Sequence, residues 1–366
     1  MELYILDTTF TTIALLDDYE SILWVDRFNT PGEFEAYLSS DNSAIPNLKI
    51  GYYLVQRDSE KMMIIESLQT ETDVDNGNHL IVKGRSLESI LDRRIIWDQT
   101  DFGEDSNLQT SVKKLITDAI ISPAISGRRI DNFRFKNSDD EKITSLTLTA
   151  QYTMGENLLD IINKICEDNK IGYKITLNTS NQFIFQLFAG TDRSYDQTKN
   201  LCVIFSSKYD NLINSTYTED ITTYKNVTLV AGEKKEDSEE RYTKEVGASA
   251  KREGLKRREL FTDANDIRKK EKEGDEEVEI PDNIYYEKLK ERGKEELTKN
   301  KKTQTFEGEV DPTLTFQYGR DFFIGDIVYV VNEYDQDGDA RVTEFIFSEN
   351  SSDGISYYPT FEAIND

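Results

Sequence analysis

Histidine is nearly missing from this sequence: His79 is the single one in 366 residues. A catalytic triad needs a histidine held by an acid beside a nucleophile. Nothing around His79 offers either, so a surface strand position after the Asn76-Gly77 turn is expected for it. Cysteine is scarce too. Cys166 falls on an apolar helix face and Cys202 in an apolar strand, which favours buried free thiols over a disulfide. Two cysteines and one histidine at these spacings build no metal site, and there is no Gly-rich phosphate loop or His-Glu-x-x-His helix. No apolar run is long enough to span a bilayer. The opening Met1-Glu2-Leu3-Tyr4-Ile5-Leu6-Asp7 lacks a basic start and reads as a strand rather than a signal peptide. A soluble chain made in a reducing cytoplasm is expected, with no direct membrane insertion. Positive charge is also short, at 44 Lys and Arg against 70 Asp and Glu, a net charge of -26. Such a field repels phosphate backbones and argues against sequence-reading nucleic-acid binding. It would equally suit a wall that DNA must slide past without sticking.

What the chain does have is β-forming material. Aromatic residues are 11%, mostly Tyr and Phe, and they favour strands. Tyr318-Gly319-Arg320-Asp321-Phe322-Phe323-Ile324-Gly325-Asp326 runs into the apolar 327–331. The polar turn Asp335-Gln336-Asp337-Gly338-Asp339 follows, then a return strand at 341–347, the turn Ser351-Ser352-Asp353-Gly354 and a last strand at 355–361. A similar order stands near the other end: Ile50-Gly51, strand, polar turn at 57–61, strand at 62–68, turn at 73–78, strand at 79–82. This is either an internal repeat of one small β-domain or two unrelated meanders. A repeat would mean two similar barrels in one chain.

The length allows two to four domains. Residues 1–96 read as a first β-barrel, with strands at 3–6, 12–16, 22–27, 34–38, 50–55, 62–68 and 80–82, closed by a short helix at 87–96. The Arg93-Arg94 pair of that helix is either an anchor to a neighbour or simply solvated. Residues 97–200 read as a small α+β domain. It has helices at 107–121 and 157–166 by apolar spacing, a strand at 146–148, and a hairpin, 171–177 with 182–188, around Asn178-Thr179-Ser180-Asn181. Residues 201–232 and 303–366 read as a second β-barrel split by a charged loop and helical insertion, 233–302. The charge blocks of that insertion, such as Arg268-Lys269-Lys270-Glu271-Lys272-Glu273, are not expected to form a core. A helix opened by Pro281-Asp282 and reaching Asn300 carries a thin stripe, Tyr285, Leu289, Gly293 and Leu297. The fold class is thus mainly β with α+β insertions.

Several phrases, in order along nearly the whole chain, resemble the tail-hub proteins of long-tailed siphophages and related prophages, the short Gp37-like family. Tyr19-Glu20-Ser21-Ile22-Leu23-Trp24-Val25-Asp26-Arg27 followed by Gly32-Glu33-Phe34-Glu35 is similar to the family's opening hairpin. Gly84 through Leu91-Asp92-Arg93-Arg94 resembles the end of its first barrel. Gly190-Thr191-Asp192-Arg193-Ser194, then Phe205-Ser206 and Asp210-Asn211-Leu212, resembles the passage into the second. Val230-Ala231-Gly232-Glu233, Arg257-Arg258-Glu259-Leu260-Phe261 and Thr305-Phe306-Glu307-Gly308-Glu309-Val310 are similar to its later part. Tyr318-Gly319-Arg320-Asp321 with Ile324-Gly325-Asp326-Ile327-Val328 is the most specific piece. The chain departs from the family at 234–240, where a charge run replaces a Gly-rich stretch.

The resemblance implies a virion tail protein, a homotrimer at the tip of the tail tube with two tube-like β-barrels per subunit. Three copies would then present a ring of six that joins a threefold tip to a sixfold tube. Implied partners are the distal tail protein, tail tube subunits, tip or receptor-binding proteins, and duplex DNA passing through unread. The motif residues it marks as structural are Trp24, Arg27, Gly32, Arg94, Asp192, Arg193, Gly232, Gly319, Arg320, Gly325 and Asp326; no catalytic, cofactor or metal residue is implied. Apolar rim residues near Ile324 and Ile50 are the expected subunit contact.

Two other classes of function make different demands on the sequence. A hub with lytic activity, hydrolysing peptidoglycan or protein, would need a catalytic group. Among 70 acidic residues a carboxylate pair carries no information. A carbohydrate-binding tip protein would need exposed aromatic platforms, whereas Trp24 and Trp97 read as packing residues. The run 335–339 resembles the start of a calcium loop, but Ile346 stands where the bidentate acid belongs. An Asp-rich β-turn is the expected reading.

Overall fold

Glu33–Ser39 alternates so strictly that Phe34, Ala36 and Leu38 are buried while Glu33 and Glu35 are exposed, the period-2 pattern of a sheet with one covered face. The same logic builds the first seven strands: β1 (Leu3–Leu6), β2 (Thr12–Leu16), β3 (Ser21–Arg27), β4 (Glu33–Ser39), β5 (Tyr53–Gln56), β6 (Met62–Asp73) and β7 (Gly77–Ser86). The computed structural model describes residues 1–57, 59–73, 77–103, 106–236, 238–273, 276–310, 315–350 and 354–364. The strands pair in the order β3-β4-β7-β6-β5-β1-β2. Their inner face forms a core of Leu3, Ile5, Trp24, Phe34, Leu38, Leu54, Met63, Ile65 and Val82. The hairpin of β6 and β7 is longer than its apolar run, because polar Thr72 and Asn78 still pair. The turn expected beyond it includes residues 74–76, outside the described set. The expected helix at 87–96 is a 3-10 turn, Leu87–Arg93.

Residues 97–200 fold as β8 (Thr100–Phe102), α1 (Leu108–Ile116), β9 (Phe133–Lys136), α2 (Glu141–Thr144), β10 (Ala150–Tyr152), α3 (Leu158–Asp168), β11 (Gly172–Leu177) and β12 (Phe183–Phe188). Asn107 and Asn157 cap α1 and α3, each side chain accepting from a first-turn amide. The apolar stripes then bury Val112, Leu115, Ile116, Leu158, Ile162 and Ile165. The strand expected at 146–148 is instead β10, a few residues on, and Thr147 makes only an isolated bridge with Asn107. This core is continuous with Leu6, Met62 and Ile64 of the sheet. The α+β part therefore packs on the first half of the sheet rather than standing apart.

The remaining strands of the sheet are β13 (Ile204–Ser206) and β14 (Ile213–Asp220) and, much later in the chain, a set that closes a second core. Between them lies a separate compact unit, Thr218–Gln304. It contains β15 (Val227–Lys234), β16 (Arg241–Val246), β17 (Glu259–Asp263), β18 (Lys270–Glu273), β19 (Glu276–Glu279) and α4 (Asp282–Lys299). This unit departs from expectation in two ways. The strand expected to end the second barrel, β15, pairs with β16 and β17 inside this unit. The segment also has a core, of Val230, Val246, Ala264, Ile267, Ile280, Tyr285 and Leu289. Of these, Val246, Ala264, Ile267 and Ile280 stand singly in polar, charge-rich stretches, so no local window marks them as core. The stripe of α4 is as expected: Tyr285, Leu289 and Gly293 are buried. A Cβ at Gly293 would lie 2.8 Å from methyls of Val230 and Val246, and one at Gly232 would lie 2.3 Å from the Tyr285 hydroxyl.

After that unit come β20 (Thr303–Glu309), β21 (Ile327–Val331), β22 (Asp337–Asn350) and β23 (Gly354–Ala363). They surround Val203, Phe205, Phe306, Phe322, Val328, Val330, Val342, Phe345 and Phe361. The turn at 351–353 lies outside the described residues. β22 also pairs with β3, Phe345 opposite Asp26 and Phe347 opposite Trp24. That ladder joins both halves into one 13-stranded sheet carrying two separate cores. No helix among the described residues is long and apolar enough to cross a membrane.

Candidate functional site

Gly325 sits at φ +88°, a left-handed turn that a side chain would strain. It aims the next residue, Asp326, inward just before β21. The Asp326 side chain is only 3% exposed and accepts three hydrogen bonds: Thr191 N at 2.7 Å, Arg193 Nε at 2.7 Å and Phe323 N at 3.1 Å. Backbone bonds run alongside, Ile327 N to Thr191 O at 3.0 Å and Arg193 N to Ile327 O at 2.8 Å. Asp192 turns the other way and accepts from the Ser194 amide and hydroxyl. The strand-like passage out of the α+β part is thereby stapled to the second half of the sheet. The fit is close: a Cβ at Gly190 would lie 1.7 Å from the Gly325 carbonyl oxygen. Arg341 donates to that same oxygen at 2.7 Å, and its guanidinium lies 5.0 Å from the centre of the Phe28 ring.

A second knot lies on the β3 side. Asp26 accepts from Lys61, from the Tyr318 hydroxyl at 3.1 Å and from the Trp24 indole at 3.3 Å. The Lys61 ammonium is 4.1 Å from the Tyr318 ring centre, and that ring stacks on Phe345 at 3.8 Å. Burial and the neighbouring Asp26 carboxylate push the Tyr318 hydroxyl well above the usual tyrosine range. Arg27 bridges Glu33 at 2.6 Å and Glu344 at 2.7 Å, so it ties β3 to both its neighbours. Gly32 lets the chain pass beneath: a Cβ there would be 2.2 Å from Val25 O. The two knots face a cleft of about 620 Å³, whose opposite wall is Glu88, Tyr173, Lys174 and Phe188.

Glu88 couples that wall to the sheet. It accepts from Ile175 N at 2.6 Å. Burial pushes its carboxyl above the ordinary value of 4.5, against the pull of hydrogen bonds from Ser86 and Ile175. A carboxyl raised in the folded state favours the fold while protonated, and that contribution is lost as pH climbs through its raised value. Glu88→Gln keeps the acceptor for Ile175 and removes the titration. The thermal midpoint of the unsubstituted protein is therefore expected to fall relative to Glu88→Gln as pH rises above the ordinary carboxyl value of 4.5. Parallel curves would contradict it.

The motif residues separate clearly. Trp24, Arg27, Gly32, Asp192, Arg193, Gly319, Gly325 and Asp326 gather where the sheet halves and the α+β part meet. Arg94 lies elsewhere and donates to Arg128 O. Gly232 belongs to the Thr218–Gln304 unit. Arg320 is an exposed turn residue paired with Asp321 at 2.7 Å. Asp26, Phe28, Lys61, Gly190 and Arg341 also stand at this junction. Asp26 and Gly190 fall in the segments that carry the family resemblance, but Lys61 and Arg341 carry no local signal that separates them from solvated charges. Trp97 corrects an expectation: it is 46% exposed with Arg128 over its ring, while Trp24 is buried. Cys166 is buried and Cys202 half-buried just before β13. His79 stacks on Tyr37 at 4.6 Å, with Nδ1 3.3 Å from Glu20. In the 335–339 run, Asp335 pairs with Lys208 and Asp337 opens β22. No described group of His, Cys, Asp and Glu is placed to hold a metal.

The fold has relatives among solved structures. The prophage MuSo2 43 kDa tail protein from Shewanella oneidensis superposes with TM-score 0.61 at 10% identity, covering 99% of this chain and 98% of its own. A tail protein from Neisseria meningitidis MC58 gives 0.56 at 12%, covering 98% and 95%. The prophage tail protein gp18 from Listeria monocytogenes EGD-e gives 0.53 at 13%, covering 99% and 94%. At such identities the likeness is one of fold. No sequence match to a curated protein stands beside them. At the sequence level, residues 2–361 match the model of the Siphovirus ReqiPepy6 Gp37-like protein family. The chain therefore belongs to the Siphovirus ReqiPepy6 Gp37-like family, and its mainly β fold is that of phage and prophage tail proteins.

Proposed function

We propose that the chain is the hub at the distal end of a phage or prophage tail, a homotrimer adapting a sixfold tube to a threefold tip. The observation that carries this reading is the 13-stranded sheet with two cores, joined through β3 and β22. If each sheet half fills one position of a ring, one subunit occupies two positions and three subunits fill six. Each half would then act as one tube-like barrel, with the motif residues of the junction holding the pair at a set angle. Trp24, Arg27, Gly32, Asp192, Arg193, Gly319, Gly325 and Asp326 are structural residues in this reading. Distal tail protein, tube subunits and tip proteins would be its neighbours.

The charge supports a conduit for DNA. A net charge of -26 repels phosphates and lets a duplex pass without adhering. No catalytic step is assigned to the protein.

Light scattering tests the symmetry. The full chain is expected to run as a trimer, alone or after mixing with its tail neighbours, and an axial electron-microscopy average of the particle should show threefold symmetry with six β lobes. A stable dimer overturns the reading.

A further inference from the structure

Many arginines in this acidic protein hold a carboxylate, Arg27, Arg57, Arg85 and Arg193 among them. Others, such as Arg134, Arg252, Arg258 and Arg341, stand singly and donate to backbone carbonyls, but three arginines without a carboxylate stand together. Arg93, Arg94 and Arg128 come together on the α+β part, where Arg94 Nε and Nη2 donate to Arg128 O at 3.1 and 2.8 Å, and Arg94 Nη1 to Arg93 O at 2.9 Å. No carboxylate among the described residues pairs with any of the three. Arg94 is held below the usual arginine range by burial and by the charges of Arg128 and Arg93. The adjoining Arg129 is satisfied by Asp131 at 2.9 Å.

The same face exposes apolar surface. Ile95, Trp97 and Ile125 are exposed large hydrophobics, and Met154 is 71% exposed in the turn whose Gly155 donates to Ile96 O. Arg128 lies 4.9 Å from the Trp97 ring centre and donates from Nη2 to Ile95 O at 2.8 Å, so both are held in place. Beneath is a hollow of about 320 Å³ lined by Ile96, Trp97, Leu115 and Ala119. Two carboxylates, Asp98 and Asp118, also line it, and Asp118 is occupied by Lys114 at 2.5 Å. An exposed Trp, two arginines held in place (Arg94 and Arg128) and a hollow with an apolar floor are the make-up of a binding hot spot rather than of a solvated surface.

We propose that this face docks an acidic segment of another protein chain, with carboxylates received by Arg93, Arg94 and Arg128 and an apolar side chain seated beside Trp97. Charge complementarity selects that occupant. Three unmatched guanidiniums inside a field of net charge -26 attract acid locally, and planar guanidiniums pair carboxylates with two hydrogen bonds. The Trp97 platform adds an apolar contact that a bare polyanion cannot use. This site goes beyond the hub reading and would stand on a tail protein of any symmetry.

The test uses the full chain and a short synthetic peptide of Asp and Glu with interspersed Leu and Phe. Binding is read by anisotropy of a labelled peptide and by the emission of Trp97, with Trp97→Phe identifying that signal against Trp24. Saturable binding that weakens with salt is expected. Arg93→Glu with Arg128→Glu should weaken it about tenfold or more, and Trp97→Ser about fivefold. Melting curves of the variants should match the parent. Arg93→Glu alone, at an exposed side chain, serves if the double variant does not fold. The proposal is overturned if the peptide does not bind saturably, or if duplex DNA binds equally well with no response at Trp97. It is also overturned if sedimentation shows self-association lost in the variants while the peptide fails to bind, since the face would then belong to a second copy of this chain.

Discussion

Asp326→Ala is expected to lose about 3–5 kcal/mol of folding stability. The carboxylate is buried, and truncation removes three acceptor contacts together: two backbone amides, of Thr191 and Phe323, and the guanidinium of Arg193. Arg193 is itself only 16% exposed, so its charge would be left without a partner in a place water reaches poorly. The loss exceeds that of an ordinary ion pair because it leaves donors stranded rather than merely separated. Urea unfolding of the full chain, read by intrinsic fluorescence, measures it. Arg320→Ala is the paired control. It lies six residues away in the same motif, but its side chain is exposed and no buried donor depends on it. Its midpoint should stay with the parent's. Equal effects of the two substitutions would remove the structural meaning assigned to Asp326.

Gly190→Ala should be worse still, at more than about 4 kcal/mol, enough to leave little folded protein at ambient temperature. The added methyl would meet backbone, at 1.7 Å from the Gly325 oxygen and 2.0 Å from its carbon. No rotamer change relieves a clash between two main chains. The strands would have to separate, which breaks the Ile327–Thr191 and Arg193–Ile327 bonds along with the Asp326 contacts. Gly338→Ala is the control: no atom lies within 4 Å of its Cβ position and its φ is ordinary. It should change stability by less than about 0.5 kcal/mol. Soluble, normally melting Gly190→Ala protein would show that the passage at 190–193 sits elsewhere.

These two positions also mark how far sequence reading reaches. Asp326 and Gly325 stood in a phrase that a family resemblance picks out, yet their partner segment, 190–193, is over 130 residues away and its contact with them was not legible. Alternation at Glu33–Ser39 and the 3.6-residue stripes of α1 and α3 named their elements and buried faces, since those patterns are local. The boundaries moved where pairing, not polarity, sets an end, as at Thr72 and Asn78 in the long hairpin. The core of the Thr218–Gln304 unit was missed because Val246, Ala264, Ile267 and Ile280 are scattered among polar and charged residues. Trp97 was misjudged because exposure of one aromatic depends on what packs over it.

Charge, the strand-rich character, the apolar stripes of the helices and the membership of a tail-protein family could all be read from the residue order alone, because each depends on composition or on local patterns along the chain. Tertiary structure alone decided that β3 meets β22 to make one sheet with two cores, that Gly190 lies against Gly325, and that three arginines stand unmatched beside an open tryptophan. Those outcomes depend on contacts between segments far apart in the chain, which no local periodicity encodes.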